Sequence, residues 1–170
     1  GGVTMLGEDV PRCLGEVRTR VGALVETPKF FPRYSGRLNL ELLAGLKGVD
    51  RSHVEVVLQR VGLSDRARDR FGGYSLGMRQ RLAVAGAMLG DPELLILDEP
   101  ANGLDPAGIA AMREMLSAFG ATGRTVLVSS HHLTDVERIC DRLAVVANGS
   151  TVATGTVDEI AGHRRDVQLI

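Results

Sequence analysis

Four aliphatic residues in succession, Leu94-Leu95-Ile96-Leu97, ending in Asp98-Glu99-Pro100, constrain this chain more than any other stretch. An apolar run without polar alternation is the pattern of a strand covered on both faces, as in a parallel sheet layered with helices. In such a sheet ligands occupy the crevice beyond the carboxyl ends of the strands, so Asp98 and Glu99 are expected to face a site. One carboxylate there can hold Mg2+ on a nucleotide phosphate, and its neighbour can take a proton from an attacking water. The same residues also fit a solvated turn after a core strand. From this stretch alone both remain open.

The 170 residues are enough for a real core and one domain, with room for a subdomain. A hydrophobic fraction of 44% and a charged fraction of 24% are ordinary for a globular protein. The formal net charge of −1 lacks the basic footprint of a duplex binder, so nucleic acid is not an expected partner. Cys13 and Cys140 are far apart, match no metal or redox spacing, and are most simply reduced thiols of a cytosolic protein. The longest apolar run, Leu82 to Gly90, covers about half of the roughly 20 residues a membrane span needs. The first residues lack the basic-then-apolar pattern of a signal peptide. A membrane role is therefore expected to come through a partner.

Along the chain, Gly2–Gly7 has the form of a short strand closed by glycines, and Val21–Val25 that of a buried strand ending at Glu26. Thr27–Gly36, with two prolines, Phe30, Phe31 and Tyr34, reads as a loop; Leu38–Leu46 and Val54–Val61 read as amphipathic helices. Asp65–Arg70 is a charged, solvated stretch. Ser75 is placed to cap a helix that meets no breaker until Gly86. Asp105-Pro106 has the form of an N-cap followed by proline at the first helical position, opening a helix with Ile109, Met112, Leu116 and Phe119 on one face and a stop at Gly120. Thr125–Val128 is expected to be another buried strand, followed by Ser129-Ser130-His131-His132 and a helix carrying Leu133, Val136 and Cys140. Leu143–Ala147 and Thr151–Ala153 form a hairpin about Asn148-Gly149, and Thr156–Glu159 has capping-box form. There is no internal repeat.

Taken in order, these pieces resemble the ATP-binding cassette (ABC) ATPases over nearly the whole chain. Tyr74-Ser75-Leu76-Gly77-Met78-Arg79-Gln80 is similar to the family's signature segment, Leu94–Glu99 to Walker B with its catalytic Glu, Asn102-Gly103-Leu104-Asp105 to the D-loop, and His131 to the switch histidine. The form of the signature and the aromatic loop before the helical insert are most similar to ATPase subunits of multidrug and peptide-antibiotic exporters. The resemblance implies an α/β fold, an incomplete P-loop NTPase-like ABC nucleotide-binding domain: a mainly parallel sheet flanked by helices, with a helical subdomain at 27–80 and the catalytic core portion at 1–26 and 81–170. It implies ATP and Mg2+ as ligands, a transmembrane permease subunit and a second ATPase protomer as partners, and a place on the cytoplasmic face of the cell membrane.

Residue by residue, the resemblance makes Glu99 the general base and Asp98 a holder of Mg2+ through water. His131 would touch the γ-phosphate. Ser75, Leu76 and Gly77 would meet nucleotide bound by the opposite protomer, where a capped helix end suits an anion. Leu76 and Met78 stand where the signature more commonly has Gly and Gln. Asp105 would lie at the dimer interface while also serving as an N-cap. Glu26 stands where the family usually carries the Gln of the Q-loop and is a candidate metal or water ligand. The insert from about Pro28 to Gly73 would dock the membrane subunit, with Phe30, Phe31 and Tyr34 near that surface or packed within the subdomain.

The phosphate loop Gly-x-x-x-x-Gly-Lys-Ser/Thr occurs nowhere in these residues. On that ground the chain is expected to be truncated at its amino end, with an exposed sheet edge, and inactive toward ATP by itself. Two alternatives to an exporter ATPase stay open: a non-catalytic regulatory or remnant cassette that docks to a complete ABC ATPase, and a soluble ABC protein of DNA repair or translation, which would need heptads or a basic linker that are not present.

Overall fold

The structure, a computed structural model, describes residues 2–25, 29–131, 136 and 139–163. These fall into two compact units, 1–129 and 130–170, taken separately below.

The first unit opens on a hairpin, β1 (Val3–Met5) against β2 (Glu8–Val10), joined through Leu6 and Gly7 at φ 52° and 83°. Both turn residues are left-handed, the geometry that matches the twist of paired strands. The strand expected over Gly2–Gly7 is thus half of a hairpin. Helix α1 (Leu14–Arg20) buries Val17 and runs directly into β3 (Val21–Leu24). With β4 (Leu94–Asp98) and β5 (Thr125–Ser129), β3 builds a parallel sheet in the order β3-β4-β5. Its register sets Leu24 beside Leu97 and Asp98 beside Ser129.

Between β3 and β4 the chain makes α2 (Gly36–Lys47), α3 (Ser52–Arg60) and α4 (Leu76–Met88). The Ser35 Oγ accepts from the Leu38 N–H at 3.1 Å, so α2 begins before the first apolar residue of its pattern, as α3 does. From Leu82 to Met88 every residue of α4 is buried, the mark of a helix enclosed on all sides. A Cβ at Gly22 would come within 2.1 Å of the Ala87 carbonyl oxygen, so β3 lies directly on the α4 backbone. The residues on that side of the sheet, Leu24, Leu95 and Leu97, are fully packed. Gly86 does not end α4. A Cβ there would lie 2.9 Å from Leu43 Cδ2, so the glycine lets α2 approach. Lys47 at the end of α2 turns its ammonium inward and donates to the Gly86 carbonyl at 2.9 Å, capping the last turn of α4; the accompanying desolvation lowers its pKa.

Helix α5 (Pro106–Gly120) buries Met112, Met115, Leu116 and Phe119, with Ile109 half-buried. Met115 and Phe119 share one cavity with Met88 of α4, so both helices lie on the same side of the sheet. The opposite side carries Ala23, Ile96 and Leu127 in one row, and Leu127 is 58% exposed. Among the described residues of this unit, α4 and α5 cover one face of the strands, and Ile96 is half-buried on the other.

The second unit holds β6 (Arg142–Ala147) and β7 (Ser150–Thr156), an antiparallel hairpin turning at Asn148 and Gly149, both left-handed at φ 50° and 74°. Helix α6 (Val157–His163) starts with the expected capping box: Glu159 accepts from the Thr156 N–H at 2.7 Å and Thr156 Oγ1 from the Glu159 N–H at 3.2 Å. The helix expected around Leu133 lies mostly outside the described residues.

Candidate functional site

At the carboxyl edge of the sheet, the parallel pairing of β4 and β5 sets Asp98 beside Ser129. The Ser129 hydroxyl donates to Asp98 Oδ1 and accepts from the Glu99 N–H at 3.2 Å, while the same N–H also reaches the Ser129 carbonyl at 3.2 Å. Glu99 itself has φ 48°. Such a conformation costs a non-glycine residue about 1–3 kcal/mol and persists only where neighbours enforce it. It breaks the strand alternation that would otherwise send consecutive side chains to opposite faces. Two tight turns follow, Asn102 N–H to the Glu99 carbonyl at 3.1 Å and Leu104 N–H to that of Ala101 at 3.2 Å. They deliver Asp105 to the head of α5, where its Oδ1 accepts from Gly108 N–H at 2.8 Å and Pro106 takes the first helical position.

The other half of the site is the start of α4. The Ser75 Oγ accepts from the Met78 N–H at 3.3 Å, and no acidic residue occupies the first turn, so the dipole end there is open to an anion. Tyr74 anchors this end: its ring is buried, its hydroxyl donates to the Arg66 carbonyl at 2.7 Å, and burial raises its pKa. Arg79 donates to the carbonyls of Tyr74 and Gly72, both at 3.0 Å, and lies over the Phe71 ring. Two glycines join the halves. A Cβ at Gly103 would lie 3.1 Å from Leu76 Cδ2, and one at Gly77 would lie 3.8 Å from Leu104 Cδ2. Each leucine therefore rests on the glycine of the facing segment, and the head of α4 packs on the loop after Glu99.

Of the residues singled out in the sequence, the first unit brings together Asp98 and Glu99 through Ser129, and Ser75, Leu76 and Gly77 with the loop that leads to Asp105. His131 is exposed at a bend in the second unit, and Glu26 lies outside the described residues. Ser129 was not anticipated. Its signal was a hydroxyl residue closing the strand next to one that closes in an acid. The exposed carboxylate of Asp98 supplies the hard oxygen that suits Mg2+. Of the three aromatics in the loop before α2, Phe30 packs edge-on against Phe71 at 5.3 Å, whereas Phe31 and Tyr34 are 58% and 43% exposed. On α2, Leu38, Leu42 and Leu46 form an exposed apolar stripe. Cys13, which matches no metal spacing with Cys140 in the sequence, has Glu8 and Glu16 close by, with ligand atoms within 4.8 Å of one another. Burial, then the charges of Glu8 and Glu16, push its thiol pKa up. No helix among the described residues is long and apolar enough to cross a membrane.

Comparison with known proteins bears on this arrangement. Residues 1–102 match the family described as ABC transporter. The bacitracin transport ATP-binding protein of Enterococcus faecalis is 42% identical over 168 residues, 98% of this chain and 54% of that protein. The daunorubicin resistance ATP-binding protein of Streptomyces coeruleorubidus is 36% identical over 177 residues, 99% of this chain and 56% of that protein. The chain thus spans about half the length of these curated relatives. In fold it matches a part of the ABC transporter complex cbiONQ of Clostridium perfringens with a TM-score of 0.83, at 23% identity, over 96% of this chain and 68% of that one. A family match across more than half of the residues, on an α/β fold with a parallel sheet, shows that the chain belongs to the ABC transporter family.

Proposed function

We propose that the chain belongs to the ATP-hydrolysing subunit of an exporter of the drug and peptide-antibiotic class, working through a separate membrane subunit at the cytoplasmic face of the membrane, and that these residues, which hold no Gly-x-x-x-x-Gly-Lys-Ser/Thr loop, do not hydrolyse ATP by themselves. The observation that carries this reading is the pairing of two half-sites in one unit: the Ser129-linked Asp98 and Glu99, and the capped head of α4 packed on the loop that follows them. The relatives named for bacitracin transport and daunorubicin resistance support the exporter class.

In this mechanism Asp98 would hold Mg2+, which when bound would offset charge on the nucleotide phosphates. Glu99 would take the proton from the attacking water; by family resemblance alone, His131 is assigned to the γ-phosphate and Glu26 to a further metal or water ligand. Ser75 and Gly77 offer the hydroxyl and the open N–H groups of the α4 head to nucleotide held by a second protomer, and Leu76 shapes that contact. Asp105 meets the partner across the dimer interface. The permease docks on the helical layer, where Phe31, Tyr34 and the α2 stripe are exposed.

The test is Glu99→Gln in the full-length protein. ATP binding should stay within a few-fold of wild type while turnover falls by a factor on the order of 10²–10⁴, the usual contribution of a general base. Retained turnover would reject the assignment.

A further inference from the structure

We propose that Ser129 is a positioning residue for ATP hydrolysis, the part that makes Asp98 and Glu99 act as one unit. This rests on the function proposed above and assigns the device that orders its two carboxylates.

A strand-end serine on the surface needs no partner in the protein, since water satisfies its hydroxyl. Ser129 instead uses both of its hydrogen-bonding roles on consecutive residues of the neighbouring strand. Its O–H donates to Asp98 Oδ1 and its oxygen accepts from the Glu99 N–H. The two bonds reinforce one another: donation toward a carboxylate makes the hydroxyl oxygen a better acceptor. They also act on different degrees of freedom. The first restrains Asp98 about its side-chain torsions. The second helps to hold the peptide before Glu99, where the backbone takes up φ 48°.

The arrangement depends on chain geometry that few residues could use. The register pairs Asp98 with Ser129, so a short side chain at 129 is already opposite the carboxylate. After Glu99 comes Pro100, which has no N–H, so the Glu99 N–H is the last donor of the strand before the chain turns away. This donor is shared between the Ser129 carbonyl and hydroxyl, both at 3.2 Å. An alanine at 129 would keep the carbonyl bond and lose both hydroxyl bonds. The strand would still pair. What would be lost is the restraint on where Asp98 sits and on the left-handed turn that sets Glu99. Threonine would keep the hydroxyl and suits a strand.

The experiment compares Ser129→Ala and Ser129→Thr with wild type in the full-length protein. It measures kcat and KM for ATP, the Mg2+ dependence of kcat, thermal stability, and the Glu99 amide resonance after 15N-glutamate labelling. Loss of a hydrogen bond to a charged group gives an expected fall in kcat of about tenfold to a hundredfold for the alanine variant. KM should change little, half-saturation should move to higher Mg2+, and the Glu99 amide should shift and exchange faster. Threonine should recover kcat to within a few-fold. If alanine lowers thermal stability but leaves kcat per folded molecule, the Mg2+ profile and the Glu99 amide unchanged, Ser129 is only a strand residue and the proposal is overturned. If wild type itself hydrolyses no ATP, the function proposed above fails, and the Glu99 amide alone decides whether Ser129 holds that turn.

Discussion

The two ends of the parallel sheet treat charge in opposite ways. At the amino ends of the strands every acid described meets arginine: Glu93 is held by Arg20 through two bonds of 2.7 and 2.9 Å, and Asp91 bridges Arg60 of α3 and Arg124 before β5. At the carboxyl ends Asp98 accepts from a neutral hydroxyl, and Glu99 stands on a left-handed turn. Neutralised charge at one end ties the helical layer to the sheet. At the other end, a carboxylate held by a hydroxyl and a strained backbone are what the proposed site for a cation and a phosphoryl group would use. One edge holds the fold, and the other carries the residues of the proposed site.

The strongest way to break this contrast is a matched pair of substitutions. Asp98→Asn should cut turnover by about a hundredfold or more while leaving thermal stability nearly unchanged, because it removes ligand charge and little packing. Asp91→Asn should do the reverse, lowering Tm by about 2–4 °C with kcat per folded molecule intact. Its ion pairs are partly exposed and therefore worth about 1 kcal/mol after screening. Calorimetry and steady-state kinetics on the two variants would read both quantities, and a crossed result would erase the distinction.

Acid should weaken the amino edge next. The hydrogen bond from Arg60 lowers the Asp91 pKa, and that from Arg20 lowers Glu93. Folded values below the unfolded ones of about 3.8 and 4.5 mean that this stability is fully present above those values and is lost as pH falls through the lower folded ones. Tm should decline below about pH 4, and Asp91→Asn should flatten the decline. The smallest change in stability is expected from Gly77→Ala. Its Cβ would sit 3.8 Å from Leu104, an ordinary contact, so stability should stay within about 0.5 kcal/mol. A drop in turnover of that variant would then report crowding by a group from outside the chain.

Local chemistry was legible in the sequence, and contacts across the fold were not. Ser75, Asp105 and the Thr156–Glu159 box cap the helices they were expected to cap, because a cap is decided within four residues. The Leu94–Leu97 run gave its strand for the same reason. The hairpin and helix between Glu8 and Arg20 escaped notice because their charged residues show neither period clearly. Gly86 looked like a stop because its reason, Leu43, lies on another helix. Thr125–Ser129 has the apolar content of a covered strand, yet Leu127 is exposed, since cover is a property of the neighbours. Asp91 and Ser129 bridge residues about thirty positions away, a relation that only the folded register reveals.

Helix α4 gives the molecule a rigid member with both ends engaged. Thirteen residues at 1.5 Å each make a rod of about 20 Å. Its head is Ser75, its tail is gripped by Lys47, and its flanks are pressed between β3 and α2. Enclosed on all sides over its second half, such a rod has no soft direction in which to absorb a push. Under the proposed function, a displacement of its head would therefore be felt at α2, where Leu38, Leu42 and Leu46 are exposed.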